Sequence, residues 1–214
     1  MRYILLDLYG KLLKALGPQH WWPAETVLEV IVGAVLTQNT AWSNVEKAIK
    51  NLKSDGWLTF EGLEHLPTEQ LAELIRPAGY YNIKAARLKN LIRLLRETCG
   101  GDVKRLCREE AMAARTALLS VSGVGPETAD SILLYAADHP IFVIDTYTCR
   151  ILSRHDLLPE GATYEDAQRL FMEHLPHQVP LFKEYHALFV RLGKDFCRKR
   201  NPRCGECPLG PEPT

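Results

Sequence analysis

The sequence predicts an all-α protein on two observations. Apolar residues recur at helical spacing along almost the whole chain, and period-two alternation with β-branched enrichment is nearly absent. An amphipathic first helix is expected from about Tyr3 to Leu16, stopping at Gly17-Pro18. Helices follow near Ala24 to Leu36, Trp42 to Asp55, Thr68 to Ile75, Tyr81 to Thr98 and Ala111 to Ser120, with stops at Gly56, Pro77 to Gly79 and Gly100-Gly101. The remaining helices are expected near Glu127 to Ala137, Thr146 to Ser153, Tyr164 to Leu175 and Leu181 to Cys197, punctuated by Gly123-Val124-Gly125, His139-Pro140 and Pro176.

The 214 residues are 46% hydrophobic and 24% charged, which supports a real core and excludes wholesale disorder. Twenty-six basic residues balance twenty-six acidic ones, so a partner cannot be captured by bulk charge, only by a local patch. Arg2, Asp7, Lys11 and Lys14 break any secretory segment at the start, and no stretch reaches the ~18 uncharged apolar residues of a membrane span. A soluble cytoplasmic protein is expected. Three of the six cysteines crowd into the tail from Cys197 to Thr214, a segment too poor in large apolar residues to make its own core. That tail is expected to be disordered or organised by a ligand, whereas Cys99, Cys107 and Cys149 read as buried small apolar residues. Basic residues also cluster. Arg76, Lys84, Arg87, Lys89, Arg93 and Arg96 follow one another with no acidic residue between them. Taken alone, such a run is a solvated helix face.

The chemistry-bearing segment is Leu118 to Asp130, where one helix ends in Gly123-Val124-Gly125 and another starts at once. The glycines can take positive φ and turn backbone N–H groups outward, beside a helix N-terminus, which makes an anion site. Packing alone would also explain a tight turn. The context beyond it decides: seventeen residues after Thr128 stands Asp145, in Ile144-Asp145-Thr146.

With these motifs in this order the chain resembles the helix-hairpin-helix (HhH-GPD) DNA glycosylase superfamily, which includes endonuclease III. The resemblance implies a two-lobed fold with a cleft, one lobe over 22–135 with the hairpin at about 111–137, the other joining 1–21 to 136–214. It implies that Ser122, Gly123, Val124 and Gly125 hold a DNA phosphate and that Asp145 is the catalytic carboxylate. In Leu36-Thr37-Gln38-Asn39-Thr40, Gln38 matches the residue that fills the gap left by an extruded base, and Lys84 matches the family's Gly-x-x-x-x-Lys-Ala segment. Cys197, Cys204 and Cys207 match the start of its C-x6-C-x2-C-x5-C signature for a 4Fe-4S iron-sulfur cluster, but Pro213 stands where the fourth cysteine belongs. Either a cluster with another fourth ligand or a relic loop of reduced thiols fits that pattern.

A second departure bears on the reaction. Family members that also cut the strand carry a hairpin lysine whose amine forms a Schiff base; here that position is Glu127, which cannot. Lys84 and Lys194 are the rival amines. Trp21-Trp22-Pro23, with Trp42 after the Gln38 loop, looks closest to the bacterial 3-methyladenine DNA glycosylase branch, and implies an aromatic base pocket. The reading is a monofunctional, monomeric DNA N-glycosylase acting on alkylated bases in double-stranded DNA. An endonuclease III-like enzyme for oxidised pyrimidines, with or without lyase activity, and an inactive DNA-binding module are the alternatives.

Overall fold

The structure is a computed structural model that describes residues 1–159 and 161–210. It is all-α: among the described residues there is no strand. None of their helices is long and apolar enough to cross a membrane. The chain divides into two compact units, Met1–Pro23 with Pro140–Thr214, and Ala24–His139.

The first unit is built from α1 (Arg2–Leu16), α9 (Thr146–Arg154), α10 (Tyr164–His174) and α11 (Val179–Asp195). Leu5, Leu8 and Leu12 form the apolar stripe of α1, at i, i+3 and i+7. The core is aromatic: Phe142 stacks on Phe171 at 3.8 Å between ring centroids, and Tyr185 stands edge-on to both. Tyr185 is fully buried, so its hydroxyl needs a partner, and it donates to Leu5 O at 2.8 Å. That bond ties α1 to α11 across most of the sequence.

In the second unit α2 (Val27–Leu36) is buried from Leu28 to Leu36, which explains its continuous apolar run. Thr26 caps it, accepting from Glu29 N, so it starts three residues later than the apolar pattern suggests. Around it lie α3 (Trp42–Ser54), α4 (Phe60–His65), α5 (Thr68–Leu74), α6 (Tyr81–Cys99), α7 (Ala111–Leu119) and α8 (Pro126–Ser131). The helix expected from Glu127 to Ala137 is two pieces, since α8 runs into a π-helical turn over Ile132–Ala136 that is wholly buried. Periodicity cannot reveal such a turn where every side chain is apolar.

The tail is ordered through Gly210. Within it Arg203 N donates to Phe196 O, Cys207 N to Cys204 O and Gly210 N to Cys207 O. Arg150 and Arg154 of α9 also donate to its backbone carbonyls.

Candidate functional site

The hairpin between α7 and α8 is set by local chemistry. Gly123 has φ 91, a backbone conformation that a side chain strains, and a Cβ there would run into Arg87. Gly125 does not share this conformation: it is an extended N-cap at φ −91 with open space where a Cβ would stand. Its glycine is therefore not required by the turn, which leaves close approach of another molecule as a reason for it. Val124 is corrected as a contact, because its side chain is buried and its amide donates to Val121 O at 3.0 Å. Ser122, Gly123 and Gly125 are exposed. Beneath them Arg115 forks onto the fully buried Asp130 at 2.7 and 3.0 Å, clamping α7 to α8.

Gln38 meets the hairpin directly. Its Nε2 donates to Gly123 O at 3.0 Å and to Thr128 Oγ1 at 2.9 Å, while its Oε1 accepts from Arg87 Nη1 at 2.5 Å. A guanidinium only donates and a carbonyl only accepts, so the amide orientation is unambiguous. Arg87 and Thr128, with no such role assigned from the sequence, thus link the Gln38 loop to the hairpin. Only the basic run around Arg87 hinted at this.

Lys84 is corrected as a DNA contact. It is 1% exposed, and its ammonium donates to Leu36 O and Ala78 O, both at 2.7 Å. Burial, with Arg87 nearby, pushes its pKa down to about 8. It anchors the base of the Gln38 loop and does not reach solution. Much of the basic run is likewise engaged: Arg96 pairs with Glu64, Arg76 with Glu73, and Lys89 donates to Leu63 O and Glu64 O.

In the first unit Asp145 caps α9. Its Oδ1 accepts from Thr148 N at 2.6 Å and Thr148 Oγ1 at 2.9 Å, and its Oδ2 lies 3.7 Å from His186 Nε2 on α11. Desolvation pushes this carboxyl's pKa up, but His186 and the Thr148 donors outweigh it and hold the group below its ordinary value. Asp145 is therefore ionised at neutral pH although its side chain is only about one-tenth exposed. Tyr147 stands against Asp145 and burial raises its phenol pKa, with the carboxylate adding to the shift. Thr148 and His186 were both missed. A lone histidine on an apolar helix gives no sequence signal.

Trp21 and Trp22 are half-buried neighbours with centroids 5.4 Å apart, and Lys194 Nζ sits 5.8 Å from the Trp21 ring centroid. Pro23 beside them is exposed. Trp42, at the start of α3 in the other unit, donates from Nε1 to Glu46 at 3.0 Å. Glu127 is exposed in the first turn of α8.

Among the described residues no group of three His, Cys, Asp or Glu side chains is arranged to hold a metal ion. Cys197 is buried, and its Sγ accepts from Arg154 at 3.2 Å. Burial pushes the Cys207 thiol up, with Cys197 and Cys204 adding. Cys204 is half-buried, and Pro213 lies outside the described residues. The residues described do not fit a four-thiolate cluster. Of the other cysteines Cys99 is buried as expected, whereas Cys149 is half-buried and Cys107 is exposed.

Known proteins resemble the chain over most of its length. The profile of the HhH-GPD superfamily base excision DNA repair proteins matches residues 32–177. A Methanocaldococcus jannaschii chain named as a candidate DNA repair glycosylase is 46% identical over 207 residues, 96% of this chain and 94% of that one. Endonuclease III of Thermotoga maritima is 32% identical over 180 residues, covering 84% and 79%. The crystal structure of H. pylori 3-methyladenine DNA glycosylase bound to 1,N6-ethenoadenine matches with a TM-score of 0.77 at 29% identity, covering 90% of this chain and 96% of that one. With the hairpin, Gln38 loop and Asp145 cap inside or spanned by these matches, the chain belongs to the HhH-GPD superfamily of base excision DNA repair proteins.

Proposed function

We propose that this base-excision-repair DNA glycosylase is monofunctional and removes alkylated, 3-methyladenine-type bases from duplex DNA. The observation that carries the reading is Asp145, a shielded carboxylate held ionised by its cap and by His186. A base methylated on a ring nitrogen is cationic, so it leaves C1′ with the bonding electron pair as a neutral molecule and needs no general acid. The sugar becomes oxocarbenium-like, and the Asp145 carboxylate stabilises that charge or draws a proton from the water that adds to C1′.

The other groups bind and orient. Outward amides of Gly123 and Gly125 take a backbone phosphate, with Ser122 beside them, and Gln38 takes the gap in the duplex. Trp21, Trp22 and Pro23 supply aromatic and apolar surface to a cationic base, where a stacked contact contributes about 0.5–2 kcal/mol. The H. pylori relative's name supports this base class. Glu127 supports the absence of a lyase step, because a carboxylate forms no imine. Such an enzyme works as a monomer on the chromosome, in the cytoplasm of a bacterial or archaeal cell.

Duplex DNA treated with dimethyl sulfate tests the reading. The chain should release methylated purines and leave strands that break only after alkali. The identity with Thermotoga maritima endonuclease III favours a second reading, excision of oxidised pyrimidines. Release of thymine glycol with methylated bases untouched would select it, and binding with no release would make the chain a DNA-binding module.

A further inference from the structure

The geometry points to His186 as the positioning residue of Asp145, acting through the carboxylate oxygen that the helix cap leaves over. The inference rests on Asp145 being the catalytic carboxylate. An ionised carboxylate offers about four lone-pair sites. The two donors of Thr148 take those of Oδ1, and the imidazole faces Oδ2 at 3.7 Å. One site on Oδ2 is left for charge developing at C1′ or for an attacking water.

Chemistry fixes the rest of the arrangement. His186 is 5% exposed, and its neighbours along α11, Tyr185, Ala187, Leu188 and Phe189, are all buried. An imidazole in such surroundings needs polar partners, and Asp145 supplies one. The nitrogen facing a carboxylate oxygen carries the hydrogen, since a lone pair there would be repelled. At 3.7 Å the contact is longer than a full hydrogen bond, so the ring orients Oδ2 without saturating it. The cap alone would leave the carboxylate free to swing about its Oδ1 anchor. The ring stops that swing.

The test uses the full chain and two variants. His186→Phe keeps a ring and removes the donor, whereas His186→Gln returns an N–H near the Nε2 position. On dimethyl-sulfate-treated duplex under single-turnover conditions, His186→Phe should slow excision on the order of ten- to a hundredfold. Its dissociation constant for a duplex with an abasic-site analogue should stay unchanged, and His186→Gln should recover most of the rate. A second measurement needs no substrate: with 13C-labelled aspartate, the Asp145 carboxyl should titrate at higher pH in His186→Phe than in the parent, with His186→Gln between them. Tyr147 and Arg150 on α9, the other groups set against this carboxyl and its neighbouring ring, are the same in all three proteins. Normal excision by His186→Phe, equal losses in both variants, or an unmoved Asp145 resonance would overturn the inference. Normal excision by Asp145→Asn would instead remove the catalytic assignment, and the resonance would still decide whether His186 holds the carboxylate.

Discussion

In the proposed reaction Asp145 is the residue that acts and Glu127, at the lysine position, is one that forms no imine. Asp145→Asn preserves volume and most of the cap but loses the charge. Single-turnover excision should fall by orders of magnitude while duplex binding persists, and near-normal excision would exclude the carboxylate's role. At Glu127 the expected outcome is an absence: borohydride added with abasic DNA should trap no covalent adduct. Lys84 is withdrawn as a rival amine because its ammonium is enclosed between two carbonyls. Lys194 remains exposed, so an adduct lost in Lys194→Met would overturn the monofunctional reading. Lys84 makes its own prediction. Its folded pKa of about 8 lies below the ordinary 10.5, so the unfolded chain binds more protons between those values. This group's contribution to stability therefore rises from about pH 8 to 10.5 and is flat below. Lys84→Met should abolish that rise and, by orphaning the Leu36 and Ala78 carbonyls, cost about 1–3 kcal/mol at neutral pH, measured by urea unfolding.

The hairpin turns such residue effects into a property of an element. Gly125→Ala meets no atom and no strained φ, so the fold should tolerate it while binding to damaged and undamaged duplex weakens by similar factors. Gly123→Ala is the contrasting variant: it strains φ 91, displaces Arg87 and should lower the melting temperature as well. Weakening confined to one lesion in Gly125→Ala would place this turn in the base pocket instead. The elements legible in the sequence were the long ones with a one-sided apolar stripe, such as α1 and α6, and those closed by Gly or Pro. Six-residue α4 is shorter than two turns and shows no period to read. The hairpin, Gln38 and Asp145 were visible as motifs. Their partners Arg87, Thr128 and His186 were not, because a hydrogen bond between residues 49 apart, as for Gln38 and Arg87, leaves no pattern along the chain.

At the scale of the molecule, topology separates the two halves of the work. Unit Ala24–His139 is one continuous stretch that contains the hairpin, Gln38, Arg87 and the Arg115–Asp130 clamp. The unit bearing Asp145 and His186 is discontinuous: it needs α1, whose Leu5, Leu8 and Leu12 are buried and whose Leu5 carbonyl receives the Tyr185 hydroxyl. A fragment of residues 24–139 should therefore fold alone, giving a helical spectrum and a cooperative melt, since α2 and the π-helical turn bury their apolar faces within it. It should bind duplex DNA through the hairpin and release no base. Deleting residues 1–16 from the full chain, which spares Trp21 to Pro23, should do the reverse damage, uncovering Tyr185 and removing its buried hydroxyl's partner. Loss of near-ultraviolet dichroism with excision, while the amides of buried α2 keep their hydrogen-exchange protection, is the expected result. An unfolded 24–139 fragment would show that this half has no core of its own, and a 17–214 chain that still excises bases would show that the other half does not need α1.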